Sequence, residues 1–284
     1  GCESLIEVVF SDCENPVTIG FQPGTYEYGP FYQSPLKHIS LAREIALTDA
    51  YAKACDDDDE GVFSNKHSSD ENLEFLGVEM GANIKTIHPY MFSDIPMTSI
   101  EIPGNVTEIK DYAFYNCQSL TNLTFADGTS DLTIGFQPSS DQRGPFYQSP
   151  LTRVTVNRNL VHSKAYAAAC DDDDEGIFST ERNSQNTTVT LGSQVKKIPE
   201  FTFSKLPVNS IVIPGTVAAI DNDAFTTCTK LTSVTIEAGD EPLTIGYNTP
   251  GNDDGPFIDC PLTTVVVNRD INYTFPTGDL DTPD

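Results

Sequence analysis

Tryptophan is absent from the 284 residues, methionine occurs 3 times and histidine 4 times. Basic residues are scarce: 16 lysines and arginines face 42 aspartates and glutamates, a net charge of −26. Such a chain repels phosphate backbones and anionic lipid, which argues against a nucleic-acid or polybasic membrane partner. No apolar run reaches the roughly 18 residues that would suggest a membrane span. No C-x-x-C spacing exists among the 7 cysteines, so zinc and redox-motif readings fail. His38, His67, His88 and His162 do not recur between internal copies, and no nucleophile, base and orienting group converge. The expectation is a chain that is not an enzyme and needs no cofactor. No basic stretch followed by an apolar stretch opens it, so it is expected to begin in mid-repeat.

What the sequence has in quantity is turns and aromatics, with 19 glycines, 19 prolines, 16 phenylalanines and 11 tyrosines. Hydrophobic content is 38%, low for one thick core but workable for a thin core drawn out along an elongated fold. Self-comparison shows the elongation. Ile19-Gly-Phe-Gln-Pro23 returns at Ile134 to Pro138, and Cys55-Asp-Asp-Asp-Asp-Glu-Gly61 at Cys170 to Gly176, both after 115 residues. Ile102-Pro-Gly104 returns at Ile213 to Gly215, after 111 residues. About two copies of a long unit and the start of a third fill the chain.

Within each long unit lies a finer repeat: apolar, two residues, apolar, one residue, apolar. Met97-Thr-Ser-Ile100-Glu-Ile102, Leu120-Thr-Asn-Leu123-Thr-Phe125, Leu151-Thr-Arg-Val154-Thr-Val156 and Leu231-Thr-Ser-Val234-Thr-Ile236 are examples. Such cores begin at 5, 36, 75, 97, 120, 151, 186, 208, 231 and 262. The closing alternation is a strand signal, and Pro103-Gly104 or Asn157-Arg158 is a turn after it. A second short apolar stretch follows, as in Val106-Thr-Glu-Ile109. A phenylalanine then closes most units: Phe31, Phe92, Phe114, Phe146, Phe203, Phe225 and Phe257. A unit this short cannot bury its apolar face alone, but stacked neighbours can. The pattern predicts one mainly-β, right-handed, leucine-rich-repeat-like solenoid domain over 1–284. It would have one continuous parallel sheet and short helical turns, and be roughly 45–50 Å long.

Two stretches carry a family resemblance: Ile109-Lys-Asp-Tyr-Ala113-Phe114-Tyr-Asn-Cys117-Gln-Ser-Leu120-Thr-Asn-Leu123-Thr-Phe125, and Ile220-Asp-Asn-Asp-Ala224-Phe225-Thr-Thr-Cys228-Thr-Lys-Leu231-Thr-Ser-Val234-Thr-Ile236. Both resemble the BspA-like leucine-rich repeat of bacterial, Bacteroides-type surface proteins. The resemblance implies a secreted or cell-surface location and adhesion to host proteins. It supplies no catalytic residues.

Cys2, Cys117 and Cys228 share one column of the repeat, and Cys55 and Cys170 another, while Cys13 and Cys260 match neither. Column partners lie about four coils apart, roughly 20 Å, beyond disulfide reach. A small buried residue is expected at each. Asp49 to Cys55 and Ser163 to Cys170 are alanine-rich and predict short helices capped by Asp49 and Ser163. The acidic runs holding Asp56, Asp57, Asp58 and Asp59, and Asp171, Asp172, Asp173 and Asp174, are read as solvated loops. Weak calcium binding is the alternative, but calcium loops alternate their ligands, and a solid run cannot aim every carboxylate inward.

The residues between the apolar positions of each core should face outward. They are Thr98, Ser99 and Glu101; Thr121, Asn122 and Thr124; Thr152, Arg153 and Thr155; Thr232, Ser233 and Thr235. This hydroxyl-rich face suits hydrogen-bonded recognition of a protein or glycan, including a host extracellular protein. A passive stalk is the alternative. A polysaccharide-active enzyme ranks third, since no cluster of acids marks neighbouring coils.

Overall fold

A computed structural model describes residues 4–20, 28–55, 58–65, 74–135, 143–163, 176–179, 185–246 and 255–274. Each of ten coils contributes a strand to two rows. The front row holds β1 (Glu7–Phe10), β3 (His38–Leu41), β5 (Gly77–Met80), β7 (Ser99–Ile102) and β9 (Asn122–Phe125). It continues with β11 (Arg153–Val156), β13 (Thr188–Leu191), β15 (Ser210–Ile213), β17 (Ser233–Ile236) and β19 (Thr264–Val267). The back row holds β2 (Val17–Ile19), β4 (Ile45–Leu47), β6 (Thr86–Ile87), β8 (Glu108–Ile109) and β10 (Leu132–Ile134). It ends with β12 (Leu160–His162), β14 (Lys197–Ile198), β16 (Ala219–Asp221), β18 (Leu243–Gly246) and β20 (Ile271–Thr274). Every pairing within these rows is parallel.

The front strands are the ten cores read from the sequence, and the alternation sets their faces. In β9, Leu123 and Phe125 are buried together with the preceding Leu120. Thr121, Asn122 and Thr124 are half-buried rather than fully exposed. Neighbouring coils stand only about 4.8 Å apart, so outward side chains shield one another laterally. The short stretches after the turns, such as Val106 to Ile109, form the back row. Most back strands have only two or three residues, too few to show an alternation.

Between the rows runs a column of phenylalanine rings: Phe31, Phe63, Phe92, Phe114, Phe146, Phe178, Phe203, Phe225 and Phe257. Adjacent rings stack with centroids 5.0 to 5.9 Å apart. Phe63 and Phe178 complete it from within the longest coils, where the sequence pattern had placed no closing aromatic. The backbone follows the rings. The Phe92 N–H donates to Ala113 O at 2.9 Å and the Phe114 N–H to Pro145 O at 2.8 Å, so each turn is bonded to the next. Close approach explains the glycine two residues before some of these rings. A Cβ on Gly61 would lie 1.8 Å from Tyr90 O, and one on Gly144 would lie 2.2 Å from Gly176 O.

The expected single front sheet is instead three hydrogen-bonded sections, β1–β3–β5, β7–β9–β11–β13 and β15–β17–β19. At paired joints, the residue after each strand donates its N–H to the preceding coil, as Ala126 does to Ile102 O and Glu237 to Ile213 O, both at 3.0 Å. At the two interrupted joints that residue is Pro103 or Pro214, which has no N–H. The rung that would reach Met80 or Leu191 cannot form. The same Pro-Gly pair that marks a turn thus also breaks the ladder, once per long unit. A lone bridge, Thr187 to Val208, remains at the entrance of the second joint.

A six-residue helix, α1 (Asp49–Ala54), lies where alanine enrichment placed it. Its cap is Thr48, whose hydroxyl accepts from the Tyr51 N–H; Asp49 sits in the first turn instead. The second expected helix falls outside the described residues beyond Ser163.

Candidate binding surface

The outward face of the front row is built from three side-chain positions per coil. The first, just ahead of each strand, is threonine in most coils, and in all of these but Thr98 its hydroxyl bonds to the preceding coil. Thr121 donates to Thr98 O and Thr232 to Asn209 O, both at 3.3 Å. Thr152 donates to Thr121 O at 3.3 Å, Thr187 to Leu151 O at 2.7 Å and Thr263 to Thr232 O at 3.2 Å. Of the expected binding residues, Thr121, Thr152 and Thr232 therefore serve to bond coil to coil, while Thr98 supplies a carbonyl to the same ladder.

The other two positions stand in strict register. Ser99, Asn122, Arg153 and Thr188 align in one line, and Glu101, Thr124, Thr155 and Thr190 in the next. Beyond the second joint, Ser210, Ser233 and Thr264 align, beside Val212, Thr235 and Val266. Arg153 donates to Asn122 Oδ1 at 2.7 Å, which fixes both side chains. No hydrogen bond from the Thr124, Thr155, Thr190 or Thr235 hydroxyl is present among the described residues. These are the free donors and acceptors of the face. Charge is concentrated at the opposite end of the row, where His38 sits 3.0 Å from Glu7 and 3.6 Å from Glu79.

Where β13 and β15 part, the surface opens into a groove of 820 Å³. Leu191, Lys196, Pro214, Thr216, Glu237 and Arg269 are among its walls. At the equivalent first joint, the longer Asn105 spans the gap, donating to Gly81 O at 3.0 Å and Ile84 O at 2.7 Å. Thr216 stands in its place at the second joint and makes one bond, to Val195 O at 3.3 Å. The groove was not legible in the sequence; the Asn-to-Thr change between copies and the proline at each joint are its only signals.

Arginine forms a third repeated device, on the turn after the front strand. Arg158 reaches back two coils to Gly104 O at 3.2 Å and Val106 O at 2.6 Å. Arg269 reaches Gly215 O at 3.0 Å and Pro214 O at 3.3 Å, and Arg43 reaches Ser11 O at 3.1 Å. Arg158 is only 1% exposed, and burial draws its guanidinium down to about 10.

The histidines fill structural roles. Burial lowers His88, whose Nε2 lies 2.7 Å from Ile45 O. His162, half-buried on β12 beside the Lys197 cation, is drawn down to about 3 by desolvation and stays neutral. His67 lies outside the described residues. Cys55, Cys117 and Cys228 are buried, as expected for their columns. Of the acidic runs, Asp56, Asp57, Asp171, Asp172, Asp173 and Asp174 lie outside the described residues, and of Asp59 only the backbone is described. Asp58 and Glu60 are buried rather than solvated. Their carbonyls accept from the Ser93 hydroxyl, at 2.6 Å, and from the Tyr51 hydroxyl. Among the described residues, no group of three metal-ligating side chains gathers, and no helix is long and apolar enough to cross a membrane.

No curated protein and no solved structure matches the chain significantly. The family model of the BspA type leucine rich repeat region matches in 6 copies, over residues 85–173 and 174–274. That match covers more than half of the sequence and includes the stacked coils from β6 to β20. The chain therefore belongs to the family of BspA type leucine-rich-repeat proteins.

Proposed function

We propose that the chain acts as one solenoid domain, displayed on a cell surface or secreted, that holds a protein or glycan against the outer side of its front row. The observation that carries this reading is the line of uncommitted hydroxyls, Thr124, Thr155 and Thr190, continued past the groove by Thr235. Evenly spaced donors and acceptors on a rigid sheet offer hydrogen bonds at little ordering cost. Ser99, Glu101, Asn122, Arg153 and Ser233 flank that line. Val212 and Val266 add apolar contact, with Val212 48% exposed. The groove beside Leu191 and Pro214 opens at the edge of the same surface.

The test is a screen of the whole chain against a glycan array and a panel of extracellular matrix proteins. It is followed by the double variant Thr155→Lys/Thr190→Lys with any ligand found. The expected result is binding that weakens at least about tenfold in the variant at unchanged Tm, since a 1.4 kcal/mol loss is tenfold. A screen without ligands, or a ligand indifferent to the double variant, would favour the passive spacer.

A further inference from the structure

The eighth and ninth coils carry a cysteine pair that the binding face does not use. The sequence offsets had left Cys260 without a column, but the structure supplies one. Cys117, Cys228 and Cys260 all stand three residues after a phenylalanine of the central stack, Phe114, Phe225 and Phe257. Each thiol points at the carbonyl of a preceding stack residue. Cys117 lies 3.1 Å from Phe92 O, Cys228 3.0 Å from Phe203 O, and Cys260 3.1 Å from Phe225 O. Cys228 and Cys260 occupy adjacent coils, with their thiols close enough to interact. The flanking backbone is also bonded, with the Phe225 N–H donating to Pro256 O at 2.8 Å and Thr227 N–H to Ile258 O at 3.0 Å. Stacked coils about 4.8 Å apart hold equivalent Cα atoms within the 4.4–6.8 Å that a disulfide spans.

The earlier copy is a built-in control. Cys117 there faces Ser149, whose hydroxyl donates to Phe114 O at 2.7 Å and accepts from the Cys117 N–H at 3.2 Å. Cys260 takes the place of Ser149 and keeps the bond to the carbonyl. The substitution thus adds a sulfur beside Cys228 without disturbing the coil.

We propose that Cys228 and Cys260 are a cross-linking site, closed to a disulfide by exchange with a small-molecule disulfide such as oxidised glutathione. Cys260 is the half-exposed partner, while Cys228 is fully buried, so Cys260 is the thiol that meets the small disulfide first; the neighbouring Cys228 thiol lowers it. It gives up its proton, bonds to one sulfur of the small disulfide and releases one small thiolate. Cys228 then loses its proton and attacks the Cys260 sulfur, releasing the second small thiol. Two protein thiols become one disulfide, and one small disulfide becomes two thiols.

The experiment exposes the whole folded chain to excess oxidised glutathione, followed by intact mass and peptide mapping. Loss of two hydrogens with a Cys228–Cys260 cross-linked peptide, reversed by reductant, is expected. Oxidation should raise Tm by about 5 °C, as expected for closing a loop of this length in a domain this large. The variant Cys260→Ser reproduces the Ser149 arrangement, so it should fold, show no cross-link and lose the oxidative rise in Tm. The proposal is overturned if folded wild type keeps both thiols, stops at glutathione adducts, or cross-links equally well after Cys260→Ser.

Discussion

The coil of β11 and the coil of β19 are near-copies, 111 residues apart, yet they live in different surroundings. Val154 and Val156 are 0% and 1% exposed, whereas their counterparts Val265 and Val267 are 53% and 47% exposed. Arg158 is buried, and Arg269 is half-exposed, although both hold the same Pro-Gly turn two coils back. The local structure is the same in both places, and each guanidinium holds the carbonyl of the turn glycine, Gly104 or Gly215. What differs is the next coil, which covers β11 and is missing from the described residues after β19. Strand, turn and cap thus belong to the repeat, but burial belongs to the array. A residue's worth is therefore set by its rank in the stack as well as by its type.

The largest test of that distinction is a pair of ring deletions. Phe114→Ala removes a fully buried ring stacked on both sides and should cost about 3–5 kcal/mol. Phe257→Ala removes a ring stacked on one described side only and should cost about 1–2 kcal/mol, because less apolar surface leaves water there. Equal losses in denaturant melts would mean that rank in the stack is irrelevant. The arginines give a smaller contrast. Arg158→Ala strands one buried and one half-buried carbonyl and should cost about 2–4 kcal/mol, and Arg269→Ala about 1 kcal/mol or less, since water can replace its bonds. A reversal would show that the burial of Arg158 costs more than its bonds return.

The most local test is a pH dependence at β12. His162 is neutral in the fold to about pH 3 but titrates near 6.5 once unfolded. Between those values the unfolded chain binds the extra proton. Stability from this group is therefore complete above pH 6.5 and is lost as pH falls toward 3, by at most about 1.4 kcal/mol per pH unit. His162→Gln should flatten that part of the stability profile relative to wild type; an unchanged slope between pH 6 and 4 would sink the assignment.

The ten front strands were legible because four residues of alternating burial are a signal that spacing alone reveals. The back row was not, since a pair such as Glu108–Ile109 carries no period. Phe63 and Phe178 recur after 115 residues, each behind Gly61 or Gly176, but do not read as closing rings, because they stand 12 and 8 residues before the next core where the other rings stand five or six. The threonines before each strand were read as outward from alternation, and Thr98 and Thr232 are indeed exposed. Where hydroxyls such as that of Thr232 bond is a matter of coil-to-coil distance, which no one-dimensional pattern contains. The joints are hidden because Pro103 and Pro214 read as turn residues in one dimension, while their missing N–H acts on the preceding coil. Cys260 was missed for a simpler reason, that its counterpart in the earlier copy is the chemically different Ser149.

The phenylalanine column bears on how such a gene can grow. Coils of quite different length deliver a ring to the same stack, so the stack tolerates insertions anywhere between strand and ring. A recombination that duplicates a segment from one ring to its counterpart adds whole coils, and the new junction inherits a ring on each side. Frame and register survive together, so lengthening the array needs no compensating change elsewhere. The 115- and 111-residue offsets show the same independence: the copies differ in loop length, while the column of rings is unbroken.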